Sequence, residues 1–353
     1  MGDVTVTAII AASCIFPSGP TLALAGIAHR LQFSLVRKHP QWTDRCRYPV
    51  RACYFPEIAS APLAERFRQL LRQVLTELTT TLPELKQIPP AHVAILFPPL
   101  NRPGMASELA AMAEEAISEY TGWSHSPVYI RHGGRAEAVA MLAKLTAFPL
   151  QEGAVSVLLA ADSWLSPDTL AWLEDEGLLH NSHRSHKGYI RINPYGRIPS
   201  EGAAALVLAS ATTEHRPWCH IRGTGMAVGE VTYSDEGVCL GRGLRQAAIQ
   251  ALETAKVTSL LHVVSDVNGE PYRADELGFT LPALDAYTDH ELAEEKPVLA
   301  SGDLGCASLV AHMALTAWRM HSSALPGDTL LLSSSDDGQR GAAVLSKHEG
   351  PDK

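Results

Sequence analysis

Apolar positions along the chain fall into two alternating periods. A run from Val4 to Ala12 reads as a buried strand that stops at the turn Pro17-Ser18-Gly19. Between Pro62 and Leu82, Leu63, Phe67, Leu70, Leu71, Val74, Leu75 and Leu78 recur at helical spacing, which predicts an amphipathic helix. The spacing then predicts a strand at His92–Phe97, helices at Met105–Tyr120 and Ala136–Leu145, a strongly apolar strand at Ala154–Ala161, a polar loop at Leu179–Asn193 and a strand at Ala203–Ser210. The second part of the chain repeats this order. Arg242–Thr254 is a helix, Leu260–Val267 a strand and Ser308–Met320 an Ala-rich helix, followed by strands at Thr329–Ser334 and Gly341–Ser346.

Two stretches bear direct comparison. The helix after Gly134 leads into EGAVSVLLAADS, and the helix after Gly305 leads into PGDTLLLSSS. Each is followed by a similar strand, EGAAALVLAS at Glu201–Ser210 and RGAAVLSK at Arg340–Lys347. Self-similarity over that distance predicts an internally duplicated α/β fold, with halves at 1–212 and 213–353 that pack as one compact unit.

Composition narrows the function. Apolar residues make up 46% of the 353 positions and charged residues 19%, which is the balance of a folded globule. The net charge of -9 leaves no basic face for nucleic acid. The apolar start, Val4 to Ala28, has no basic lead and contains Pro17 and Pro20, so neither a signal peptide nor a membrane span is expected. Cys14, Cys46, Cys53, Cys219, Cys239 and Cys306 form no CxxC pair and read as reduced thiols of a cytoplasmic protein. Gly223, Gly225 and Gly229 miss the dinucleotide fingerprint by one residue and are assigned to turns. His180, His183 and His186 sit in a polar loop and read as solvated, so no metal and no cofactor is expected.

Five motifs, in order, carry a family resemblance. Pro199 to Leu208 resembles the GEGAGALVL strand of β-ketoacyl synthases, and the segment from Ala171 to Leu179 sits where those enzymes have a short helix and a Leu-Ser turn. Val263 to Pro271 is similar to their strand ending in HGTGTP. Ser301 to Ser308 is similar to their GHxxGAAG turn, and Ser333 to Val344 to their final Gly-rich hairpin. The resemblance implies a thiolase-like α/β fold, two βαβαβαββ halves in a five-layer αβαβα arrangement. It also implies a dimer formed along a strand near Val128–Ile130.

The same resemblance locates a site and shows what it lacks. Such enzymes use a cysteine at the start of a buried helix and two histidines. Here the window Arg131-His132-Gly133-Gly134-Arg135-Ala136 holds neither cysteine nor serine, and no cysteine occurs between Cys53 and Cys219. Asp266 stands at the first histidine position and Asp303 at the second. Val298 takes the lysine position, with Lys296 nearby, and Asp336-Asp337 replaces the Gly-Phe gate. A carboxylate cannot donate a hydrogen bond to a polarised carbonyl. Two like charges about 4 Å apart at an effective dielectric near 20 repel by roughly 4 kcal/mol. No catalytic residue is therefore expected at His132, Gly133, Gly134, Arg135, Asp266, Asp303, Asp336 or Asp337. Instead some of Arg131, His132 and Arg135, at least one, are expected to pair with Asp266, Asp303 or Asp336 across the old pocket. Cys306, at the start of a helix, is read as a buried structural thiol.

Three functions remain open from the residues. One is a non-catalytic interaction partner, adaptor or chaperone, including an accessory factor of bacterial secretion effectors. The second is a cysteine-less subunit paired with an active ketosynthase, where a carrier protein would be a further partner. The third is an acyltransferase or hydrolase built on Asp266, Asp303 or His132.

Overall fold

A computed structural model describes residues 7–87, 89–105, 108–147, 153–184, 188–210, 216–235 and 237–347. The first half runs β1 (Thr7–Ile15), α1 (Leu22–Leu31), β2 (Arg37–Thr43), β3 (Pro49–Ala52), α2 (Leu63–Thr81), β4 (His92–Phe97), α3 (Leu109–Thr121), β5 (Val128–His132), α4 (Glu137–Ala147), β6 (Val155–Ser163), α5 (Pro167–Asp175), β7 (Ser182–Arg184), β8 (Ile190–Ile192) and β9 (Glu201–Ser210). The second half runs β10 (Cys219–Val228), α6 (Arg242–Ala255), β11 (Leu260–Val264), α7 (Pro271–Thr280), β12 (Ala293–Glu295), α8 (Val298–Ser301), α9 (Ser308–His321), β13 (Asp328–Ser334) and β14 (Gln339–Lys347).

The duplication is visible in the strand order. The first half is ordered β5-β4-β6-β9-β1 and the second β12-β11-β13-β14-β10. Numbered within its own half, each reads 3-2-4-5-1. β4 pairs in parallel with β5 and β6, as β11 does with β12 and β13. β9 and β14 run antiparallel to both of their neighbours. The halves meet edge to edge where Thr7, Ala8 and Ile9 pair antiparallel with Ile221, His220 and Cys219.

Burial explains the sequence patterns. β1 and β6 are buried along their whole length and carry unbroken apolar runs, as strands covered on both faces do. α2 and α3 cover the first sheet from outside, and α6 with α7 covers the second. α4 and α9 lie between, each touching strands of both halves, which makes the fifth layer. α9 is buried along most of its length, and that burial accounts for its Ala-rich composition.

Several boundaries differ from expectation. Of the first strand, Val4 to Val6 lie outside the described residues, and β1 runs on to Ile15. α3 begins at Leu109 rather than Met105, and β11 ends at Val264 rather than Val267, because the chain leaves the sheet there to build a buried polar turn. The segment expected as a loop at Leu179–Asn193 contains the small β7–β8 hairpin.

Two of the three glycines assigned to turns lie in a strand instead. Gly223 and Gly225 lie inside β10, and Gly229 follows its last residue. A Cβ on Gly223 would sit 2.2 Å from the Ala251 carbonyl oxygen, and one on Gly225 would sit 2.0 Å from that of Ala247. These glycines let α6 lie directly on the strand, and Ala247, Ala251 and Ala255 form the facing stripe.

Candidate functional site

The site forms where loops leave the C-terminal ends of β5, β11 and β13. β5 ends at His132, and Gly133-Gly134-Arg135-Ala136 turns the chain into α4. Ser335, in the turn after β13, closes that helix start: the Ala136 amide donates to its Oγ at 2.8 Å. The approach is so close that a Cβ on Gly134 would lie 2.5 Å from Ser335 Oγ and 2.6 Å from its Cβ.

Arg135 points from this turn into a buried ionic cluster. Its Nη2 donates to both oxygens of Asp303, at 2.7 and 2.6 Å, and its Nη1 donates to Asp336 Oδ1 at 3.3 Å. Its Nε lies 4.0 Å from Asp266 Oδ2. Two further arginines complete the cluster. Arg197 Nε donates to Glu270 Oε1 at 3.1 Å and its Nη1 to Asp336 Oδ2 at 3.2 Å. Arg273 Nε donates to Glu270 Oε2, and its Nη2 to Asp336 Oδ1, both at 2.7 Å.

The carboxyls are satisfied from the other side by neutral donors. Asn268 Nδ2 donates to Asp303 Oδ2 at 2.7 Å and the Gly305 amide to Oδ1 at 2.8 Å. Ser333 Oγ and the Ser334 amide donate to Asp266 Oδ2 at 3.1 and 3.0 Å.

Three guanidiniums thus face four carboxyls. Burial alone would raise the pKa of Asp303 and of Asp336, but the adjacent arginines hold both well below the usual carboxylate range. Burial wins at Asp266, whose pKa is raised in spite of Arg273 and Arg135.

In front of the cluster lies a cavity of about 480 Å3 lined by Arg102, His132, Trp164, Trp172, Tyr233 and Cys306, among others. Arg102 holds Asp162 in a two-pronged pair at 3.1 and 2.6 Å. The Cζ atoms of Arg102 and Arg197 lie 4.3 and 4.9 Å from the Trp164 ring centroid, a cation–π environment.

Of the three basic residues, Arg135 makes the expected pairing, and Arg131 and His132 find other partners. Arg131 is turned outward and donates to Glu137 Oε1 at 3.0 and 2.8 Å. His132 hydrogen-bonds the Pro98 carbonyl through Nδ1 at 2.9 Å and borders the cavity without reaching an acid. The alternation along β5 explains this, because consecutive side chains leave the strand on opposite faces. Asp337 accepts from the Gln339 amide at 3.1 Å and serves the hairpin turn. Lys296 pairs with Glu294 at 2.8 Å beside the edge strand β12, and Val298 begins α8. Cys306 is buried, and burial pushes its thiol well above the ordinary value. His180 is half-buried, while His186 and the side chain of His183 lie outside the described residues. Among the described residues no group of three His, Cys, Asp or Glu is arranged to hold a metal ion.

Sequence reasoning missed Arg197, Glu270 and Arg273. Glu270 and Arg273 could have been found, because the polar string Asn268-Gly269-Glu270-Pro271-Tyr272-Arg273 directly follows a buried strand. Arg197 gave no local signal.

The architecture has clear counterparts. Solved structures that match over 98–99% of this chain include a type II polyketide-synthase acyl-carrier protein in complex with its ketosynthase bound to the hexaketide, at a TM-score of 0.75, 12% identity and 100% of that chain. They include the oxazolomycin ketosynthase domain of Streptomyces albus, at a TM-score of 0.73, 14% identity and 75% of that chain. They also include the ishigamide ketosynthase/chain length factor, at a TM-score of 0.68, 15% identity and 100% of that chain. The fold is that of the ketosynthases. No family model and no curated protein matches the sequence, so the ketosynthase likeness is one of thiolase-like architecture. Among the described residues no helix is long and apolar enough to cross a membrane.

Proposed function

We propose that this chain is a ketosynthase-like protein that does not condense acyl groups and acts by binding another protein, as a partner, adaptor or chaperone. The observation that carries the reading is the Arg135–Asp303 pair, joined by Asp266 and Asp336. By the resemblance, Arg135 lies in the window of the nucleophile, Asp266 and Asp303 stand at the two histidines, and Asp336 stands at the gate. A guanidinium with a pKa above about 12 is no nucleophile at neutral pH. Carboxylates locked onto it neither donate to a thioester carbonyl nor accept its proton. The helix start that would stabilise a thiolate or an oxyanion already donates to Ser335.

A second reading shares this chemistry. One of the similar folds is a ketosynthase/chain length factor, and a cysteine-less subunit paired with an active ketosynthase would present the same silent site. In that case the edge strand β5 would pair with the other chain. A carrier protein, as in another of the similar structures, is then the natural third component.

The test is intact-mass analysis after incubation with acetyl and malonyl thioesters, with thiol release followed in parallel. The expected result is no covalent adduct and no release above the buffer rate. A stoichiometric adduct or steady turnover overturns the proposal and identifies the modified residue.

A further inference from the structure

α1 is apolar on both of its faces. Its inner face carries the small residues Ala25, Gly26 and Ala28 beside Leu22, and all four are buried. Gly26 allows the helix to lie flat on α9: a Cβ there would sit 2.3 Å from the Trp318 ring. The large aliphatics point the other way. Leu24 and Ile27 are each 48% exposed and Leu31 is 72% exposed. Their i, i+3, i+7 spacing puts them in one stripe. Phe33, just past the helix, is 52% exposed, and Leu299 on α8, which packs beside α1, is 50% exposed. A surface helix normally buries its large side chains and leaves polar ones outside, so this arrangement is inverted.

The electrostatics of the stripe select its occupant. From residue 4 to residue 43 the chain contains no Asp or Glu, although it has 38 acids in all. Its cations there are Arg30, Arg37 and Lys38. A cavity of about 480 Å3 adjoins the stripe, lined by His29, Arg30, Lys296, Leu299 and Arg319 together with Glu294 and Glu295. Those two acids are already paired, Glu294 with Lys296 at 2.8 Å and Glu295 with Arg319, and Glu295 also hydrogen-bonds His29 at 2.8 Å. Arg30 has no carboxylate partner among the described residues.

We infer that the outer face of α1, with Phe33 and Leu299, is a docking surface for an amphipathic helix of a partner protein whose flanks are acidic. The stripe receives the partner's apolar ridge, and Arg30 receives its flanking carboxylates. This inference rests on the interaction reading above and names the surface and the partner's chemistry.

The probe is a synthetic 20-residue amphipathic helix with leucine at every a and d position and glutamate on its flanks, compared with the same helix flanked by lysine. Fluorescence anisotropy with the full chain is expected to show saturable binding of the acidic peptide and at least tenfold weaker binding of the basic one. Leu31→Glu, and separately Ile27→Gln, should each weaken the acidic peptide at least tenfold, with melting temperature unchanged because both side chains are exposed. Equal binding of the two peptides, binding that survives both substitutions, or no binding overturns the inference. So does sedimentation in which the chain self-associates and Leu31→Glu is monomeric, since the face then belongs to a second copy. Thioester turnover would overturn the proposed function and leave the peptide result standing, so the two failures are distinguishable.

Discussion

Arg135 is the residue on which the buried cluster turns, because Asp303, Asp336 and Asp266 all approach it. Arg135→Met leaves buried carboxylates short of a counter-charge and is expected to cost about 3–5 kcal/mol in urea denaturation. Adding Asp303→Asn should recover part of that loss, since the charge left over is removed with its partner. A second residue-scale effect comes from His312, buried in α9. Burial, helped by His29 and Arg135, lowers its pKa from 6.5 to about 3. Below pH 6.5 the unfolded chain takes up a proton that the folded chain refuses. This contribution is therefore complete above pH 6.5 and is lost as the pH falls towards 3. Between pH 7.5 and pH 5 the native protein should lose about 2 kcal/mol more than His312→Asn, at 1.4 kcal/mol per pH unit, as read from denaturation curves at the two values. A pH-independent difference between the two proteins would contradict the assignment. At this scale Asp266, Asp303 and Arg135 were legible, because a charged residue in an apolar motif stands out. Arg197 was not, since its partners lie 73 and 139 residues away and only the folded chain brings them together.

Among the elements, β10 and α6 show how a local pattern can mislead. Gly-x-Gly in a short sequence reads as a turn, yet here it marks a helix backbone pressed against a strand. Gly225→Ala must push α6 away from a contact of 2.0 Å and is expected to cost about 2–3 kcal/mol by thermal or urea denaturation. Gly278→Ala, inside α7 with nothing within 4 Å of the new methyl, should instead be neutral or stabilising by up to about 1 kcal/mol. The long periodic elements α2, β4, β6, α6 and α9 were legible because each buries one continuous face or both. β2, β3, β12 and β8 of the small hairpin were not, since their partly or wholly exposed positions leave no continuous apolar run. α1 escaped for another reason: its two apolar faces erase the contrast that a helical period needs.

At the scale of the whole molecule, the duplicated halves and the five layers followed from motifs that were weak singly and specific in series, while the 3-2-4-5-1 strand order came only from the structure. The function did not follow in the same way. The ketosynthase fold is shared with proteins at 12–15% identity, a range in which architecture persists while chemistry changes. The proposed loss of that chemistry rests on a handful of side chains at the strand ends. That is why the thioester experiment and the peptide experiment address different surfaces.

The ionic cluster also bears on how the two halves recognise each other. β1 to β9 contribute Arg135 and Arg197, whereas the segment from β10 onward contributes Asp266, Glu270, Asp303 and Asp336 with Arg273 alone to offset them. Cut between β9 and β10, the chain would yield one fragment with an excess of buried positive charge and one with an excess of negative charge. Each would be a poor monomer and a selective mate for the other. In that sense the buried cluster works as a latch, closing only when both repeats are present and in register.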